Sequence, residues 1–150
     1  MVQLVTMSDA RYQDWRHSIW KSYFQELVRS GLSETAAQKN VDDNIAATMP
    51  EGVLQPGNEV FEIHHDGESI GVVWLWQDGT EWFVYDIDLE EQHRGKGLGR
   101  RTMQAIEAHV RVNGGTAIAL SVFGFNQVAR NLYESEGYET TRLQMKKTLS

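Results

Sequence analysis

The sequence lacks cysteine, has only two prolines and contains no long apolar run. Without cysteine there are no disulfides, no thiol nucleophile and no thiolate metal ligands, which suits a reducing compartment. No apolar stretch approaches the about 20 residues that a membrane-spanning helix needs. Residues 1–10 are too polar and too few for the core of a secretory signal. We therefore expect a cytoplasmic protein with no membrane partner.

Basic side chains are scarce in the first 93 residues, which contain 5 Lys or Arg against 17 Asp or Glu. Residues 94–150 contain 9 basic and 4 acidic side chains, so the net charge of −7 is the balance of −12 and +5. A negative protein is a poor binder of nucleic acid, and we expect no such partner. The split is either chance scatter on a solvated surface or the mark of a polyanionic ligand on one side and a cationic one on the other.

Hydrophobic spacing predicts the order β-αα-βββ-α-β-α-β within a single domain, residues 1–150. The first two helices begin near the capping residues Ser8 and Ser33, and the hairpin signals Asp66-Gly67 and Asp78-Gly79 divide the central strands. The predicted strands cover 2–6, 60–64, 70–76, 82–89, 116–122 and 138–146, and the last two helices cover 97–112 and 126–135.

The segment Leu89 to Arg101 joins a predicted strand to a predicted helix and is rich in glycine and positive charge. Glycine lets a ligand approach the backbone closely, and the free amides at a helix N-terminus bind anions. The segment therefore predicts a phosphate or pyrophosphate site. The even spacing of Gly95, Gly97 and Gly99 matches neither the phosphate loop of NTPases nor the dinucleotide-binding turn.

Two motifs in this order resemble the GNAT acetyltransferases. Arg94-x-x-Gly97-x-Gly99 matches that family's R/Q-x-x-G-x-G/A signature, and Asn126 to Tyr138 is similar to its N-x-x-A-x-x-L-Y-E-x-x-G-F/Y segment. The resemblance extends along nearly the whole chain. It implies an α/β fold with a mixed, mainly antiparallel sheet of six or seven strands flanked by four helices, and transfer of acetyl from acetyl-CoA to an amine.

The resemblance also assigns an acetyl-CoA site. Ile87, Asp88 and Leu89 match the part of the fourth strand that splays from the fifth at a bulge and pairs with the pantetheine arm, and the Leu89 amide would donate to the oxyanion. Asn126 would contact the arm, and Tyr133 would protonate the leaving thiolate. Without the resemblance, Asn126 would be interpreted as a helix cap and Tyr133 as a core residue. The residues that match the pyrophosphate site are Arg94, Gly95, Lys96, Gly97, Leu98, Gly99 and Arg100.

The motifs do not fix the general base. An amine is mostly protonated at neutral pH and must lose a proton before it attacks. Family members often use a carboxylate on the fourth strand, at a position that varies, and position 85, where some carry Glu, is Tyr85 here. Asp86 and Glu81 are the candidates. Strand alternation predicts that Glu81 shares the face of Tyr85 and Leu89, whereas Asp86 and Asp88 share the other face.

The expected acceptor is an amine of a small molecule or peptide, cationic because of the acidic first 93 residues. Without cysteine, the acetyl group would move directly in a ternary complex, and a homodimer is left open. Adjacent His64 and His65 point to opposite faces of a strand, so we expect no metal site. The alternative is a non-catalytic coenzyme A-binding or protein-interaction module with the same fold.

Overall fold

The computed structural model describes all 150 residues, with four α-helices and one five-stranded sheet of order β1-β2-β3-β4-β5. Neighbouring strands are antiparallel except β4 and β5, which are parallel. This confirms the expected α/β class, the mixed, mainly antiparallel sheet and the four helices. In chain order the elements are β1 (Val2–Thr6), α1 (Asp9–Arg29), α2 (Glu34–Thr48), β2 (Asn58–His65), β3 (Glu68–Asp78), β4 (Glu81–Leu89), α3 (Leu98–Val112), β5 (Ala117–Leu120) and α4 (Gln127–Ser135).

The ends of these elements are set by local chemistry. The Ser8 hydroxyl accepts a hydrogen bond from the Arg11 amide, and Ser33 caps α2 in the same way. Asp66 and Gly67 both have positive φ, 52° and 79°, as the turn of a two-residue hairpin requires. No helix is both long and apolar enough to cross a membrane.

The sheet is covered by helices on both faces. On one face, Met103 and Ile106 of α3 and Tyr133 of α4 pack against Leu75 and Trp82 of the sheet. On the other face, α1 contributes Trp15 to a smaller cluster that includes Val72 and Trp74 of β3. Because helices cover both faces, a ligand can reach the strands only along an edge of the sheet.

The sheet has five strands rather than the predicted six or seven. Residues 138–146, predicted as a last strand, form no ladder. Tyr138 packs against the core beside Tyr133, but Leu143 and Met145 are 73% and 89% exposed, so the rest of the segment has no buried face. A strand needs an edge to pair with, and β5 offers only four residues.

Candidate active site

An extra residue in β4 determines which side chains reach the site. Val84 pairs with Leu75 and Asp86 pairs with Trp74, so Tyr85 has no partner on β3. Such a β-bulge reverses the alternation of side chains on the strand that carries it. The ring of Tyr85 packs on Trp74, with 4.6 Å between ring centroids, on the face covered by α1.

The bulge overturns part of the predicted grouping by face. Asp86 and Asp88 share a face as predicted, but it is the face of Tyr85 rather than the opposite one. Leu89 packs against the cluster under α3, on the face opposite Tyr85. Asp86 and Asp88 line a cleft together with residues of α1, so they lie on the same side of the sheet as Tyr85. Alternation along an unbroken strand predicted the reverse, because it takes no account of an inserted residue.

Beyond the bulge, β4 separates from β5. The parallel pairing covers only Glu81 to Val84 against residues 117–120, so residues 85–89 have an open edge. The Glu90 amide donates to the Ile70 carbonyl on β3, at 2.8 Å. Because successive amides of a strand point to opposite edges, those of Leu89 and Ile87 point toward the open edge. This edge can accept an extended ligand as an additional strand.

A glycine-rich turn follows the open edge. Gly95 and Gly97 have φ of 74° and 77°, and a Cβ atom on either would meet no heavy atom within 4 Å. Gly97 precedes α3 without a side-chain cap, and the Arg101 amide is the first to find an acceptor there, the Gly97 carbonyl at 3.3 Å. The amides of residues 98–100 are therefore free, with open space before them, as an anion site requires.

Two arginines of this segment are engaged within the protein. Arg94 donates to the Leu89 carbonyl at 2.8 Å and to Asp88 at 3.1 Å, which braces the end of β4. Arg100 forms an ion pair with Glu136 beyond the end of α4. Its guanidinium connects α3 to α4, whereas its backbone amide remains with the anion site. Lys96 is the exposed lysine of the turn.

Helix α4 carries the two remaining predicted residues. The Asn126 side chain accepts a hydrogen bond from the Ala129 amide at 3.1 Å, so it caps the helix, and it also lines the cleft. Tyr133 is 9% exposed and packs within the core. Burial, and then the charge of Asp86, raises the pKa of Tyr133 to about 12. Its hydroxyl is therefore protonated at neutral pH and can donate.

A cleft of about 760 Å³ lies between α1 and the open end of β4. One side is a stripe of α1, and the other consists of Val72, residues 86–88, Arg94 and residues 125–128. The α1 stripe comprises Arg11, Trp15, Ser18, Ile19, Ser22, Gln25, Glu26 and Arg29.

The carboxylates of the cleft differ in environment. Burial, and then the charges of Asp88 and Glu26, raises the pKa of Asp86 to about 7. Burial, followed by the charge of Asp88, also raises the pKa of Glu26, and Arg29 opposes this. Glu81 is exposed at the start of β4, about 16 Å from Asp86 at the rise of a strand, and does not line the cleft. The cleft thus brings Asp86 together with four of the predicted cofactor residues, Ile87, Asp88, Arg94 and Asn126. Glu81, Leu89, Tyr133 and residues 95–100 do not line it.

The sequence of the chain is similar to those of known proteins. A model of the acetyltransferase (GNAT) family matches residues 12–138. The chain belongs to this family. The uncharacterized N-acetyltransferases YycN and YdgE of Bacillus subtilis are 30% and 29% identical to it, over 99% and 97% of each chain respectively.

Solved structures share the fold of this chain. A crystal structure of YycN superposes with a TM-score of 0.90 at 27% identity, over 100% of this chain and 99% of that one. The structure of AAC(6')-Iy in complex with a bisubstrate analog, CoA-S-monomethyl-acetylneamine, has a TM-score of 0.59 over 100% and 99% of the two chains. At 14% identity it shows the shared fold alone. The protein is therefore a GNAT acetyltransferase, a family whose fold uses acetyl-CoA.

Sequence reasoning missed two residues of this acetyltransferase cleft, Trp15 and Glu26. Trp15 belongs to the apolar stripe of α1, and such a stripe by itself indicates only a face that packs on the core. The signal for Glu26 was available beside it, because Ser18, Ser22 and Arg29 recur at helical spacing on the same side of α1. No group of three or more His, Cys, Asp or Glu side chains is placed to hold a metal ion.

Proposed function

We propose that this acetyltransferase transfers an acetyl group from acetyl-CoA directly to a cationic amine of a small molecule or peptide, in a ternary complex. The observation that carries the proposal is that Asp86 and the open edge of β4 at Ile87 and Asp88 line one cleft with Arg94, the residue that precedes the glycine-rich turn. A strand-like binding edge and a base would then lie together, with an anion site in the adjoining turn.

Acetyl-CoA fits this open edge and the turn beside it. Its pantetheine arm would pair with the free amides of Ile87 and Leu89, as an added strand would. Its pyrophosphate would bind the amides from Gly95 to Arg100 and the Lys96 ammonium. The Leu89 amide would also donate to the oxygen of the thioester as negative charge develops there.

The reaction requires two proton transfers. Asp86 takes a proton from the acceptor ammonium, and the neutral nitrogen attacks the thioester carbon to form a tetrahedral intermediate. As the carbon–sulfur bond breaks, the Tyr133 hydroxyl donates a proton to the thiolate. The new amide nitrogen loses its second proton, which restores Tyr133, and Asp86 then releases its proton to solvent. The sum is one acetamide, one free coenzyme A thiol and one proton.

The acidic first 93 residues support a cationic acceptor, because a protein surface of one net sign attracts ligands of the opposite charge. We therefore expect kcat/KM to fall as ionic strength rises, since salt screens this attraction.

The test is release of the coenzyme A thiol with purified protein, acetyl-CoA and a panel of monoamines, diamines, amino sugars and peptides. We expect acceptor-dependent release and an acetylated amine by mass spectrometry. Tight binding of acetyl-CoA in calorimetry with no transfer to any acceptor would favour the non-catalytic coenzyme A-binding module instead.

A further inference from the structure

Charged groups of the cleft are unequally paired. Arg94 pairs with Asp88 at 3.1 Å, and Arg11 pairs with Glu62 at 3.7 Å. The Arg29 guanidinium lies over the ring of Phe125, 4.0 Å from its centroid. Of the three carboxylates that line the cleft, those of Glu26 and Asp86 form no ion pair within the protein.

Glu26 and Asp86 line the same cavity, one from α1 and one from the bulged end of β4. Arg11 is fifteen residues before Glu26 on the same helix, about 22 Å away, so it does not neutralise this pair. Arg29 lies one turn after Glu26 and offsets part of its charge. The pair therefore has room and charge for a cation from solution.

We infer that Glu26 selects the acceptor by binding a second ammonium group of a diamine, while Asp86 serves the amine that reacts. This inference rests on the proposed function and names the substrate class of the same cleft. The reacting amine must become neutral before it attacks, and its proton leaves Asp86 uncharged. Only a second amine, which keeps its charge throughout, continues to neutralise Glu26.

The test compares 1,4-diaminobutane with butylamine, two acceptors of similar length that differ in the second ammonium. For Glu26→Gln we expect KM for the diamine to rise about tenfold or more, because the lost contact is charge-assisted. KM for butylamine and kcat at saturating diamine should change less than threefold, the pattern of lost uniform binding. Acetyl-CoA affinity, measured by calorimetry, should not change.

The matched control is Asp14→Asn, which removes one negative charge from an exposed position of α1 outside the cleft. It should leave both KM values unchanged, and an equal effect in both variants would assign the change to general electrostatics and overturn the inference. An unchanged preference for the diamine in Glu26→Gln would also overturn it.

Calorimetric binding of the diamine to wild type and to Glu26→Gln separates this inference from the proposed function. Weaker binding to Glu26→Gln supports the role of Glu26 even if wild type releases no thiol, an outcome that would refute only the transfer reaction. Equal binding to both proteins overturns the role of Glu26 while leaving transfer to be judged by thiol release.

Discussion

Replacing Asp86 with Asn is expected to remove the general base and to stabilise the fold at alkaline pH. The environment of Asp86 raises its pKa from the ordinary 3.8 to about 7. Between these values the folded protein holds a proton that the unfolded chain has released. The stability linked to Asp86 is therefore fully present below pH ~4 and is lost as pH rises through about 7. At 1.36 kcal/mol for each tenfold change, the loss approaches about 4 kcal/mol.

Asn has nearly the same size as Asp and no charge, so Asp86→Asn escapes this loss. We expect the variant to exceed wild type in stability by up to about 4 kcal/mol at pH 8, a Tm gain of about 10 °C for a chain of this size. The gain should shrink to nearly nothing at pH 4. Asp14→Asn, with the same change of charge at an exposed site, should show no comparable gain at either pH.

The assays are thermal unfolding from pH 4 to 9 and the pH dependence of kcat/KM. For wild type, kcat/KM should rise about tenfold per pH unit below 7 and level off above about 8. For Asp86→Asn the residual rate should continue to rise toward the pKa of the acceptor amine, because only free amine then reacts. A stability difference that does not depend on pH, or a less stable variant at pH 8, would refute the buried-carboxylate argument.

Three further substitutions test other parts of the site. Tyr133→Phe should lower the rate constant of single-turnover acetyl transfer at least about tenfold and leave the acetyl-CoA affinity unchanged. A rate equal to that of wild type would mean that Tyr133 is a core residue only. Wild type should gain about 2.7 kcal/mol at an acetyl-CoA concentration ~100-fold above Kd, and Gly97→Asp should lose this thermal shift. The Cβ of the variant meets nothing within 4 Å, but φ at Gly97 is +77°, so we expect it to fold with a loss of about 1–2 kcal/mol. A retained shift would contradict the anion site. In Gly71→Ala the Cβ would clash with the Asp88 carbonyl oxygen, so denaturant unfolding should show a free energy of unfolding lower by ~1–3 kcal/mol. Gly124→Ala is the control, because a Cβ there would meet open space. Equal stability of the two variants would refute the clash.

The order of elements was predictable because its signals are local. Ser8, Ser33 and the Asp66-Gly67 turn each fix an end of an element through contacts within four residues along the chain. The strand predicted over 116–122 is present as Ala117–Leu120. The motif segments fall where expected, at the end of β4 and along α4, because they too are contiguous in sequence.

The side chains that share a face of β4 were not predictable in this way. The family resemblance implied a bulge in this strand, but the residues around Tyr85 do not show which of them is inserted, and alternation holds only while pairing is unbroken. The role of Glu26 depends on how α1 crosses the sheet, which is a matter of packing between distant elements. The strand predicted over 138–146 failed for a similar reason, since strand formation depends on an edge supplied elsewhere in the chain.

The bulge at Tyr85 links the stability of this acetyltransferase to its chemistry. Reversing the alternation beyond Tyr85 turns Asp86 toward a partly buried cleft, where its charged form is unfavourable. The same stretch lies beyond the point where β4 leaves β5, so the free amides of Ile87 and Leu89 lie next to that carboxylate. An unbroken strand would turn Asp86 away from the cleft, into the apolar layer under α3. The stability lost when Asp86 ionises is thus a consequence of placing the proposed base beside the proposed thioester-binding edge. Regular pairing would take the carboxylate out of the cleft and bury it where its charge is still less favourable.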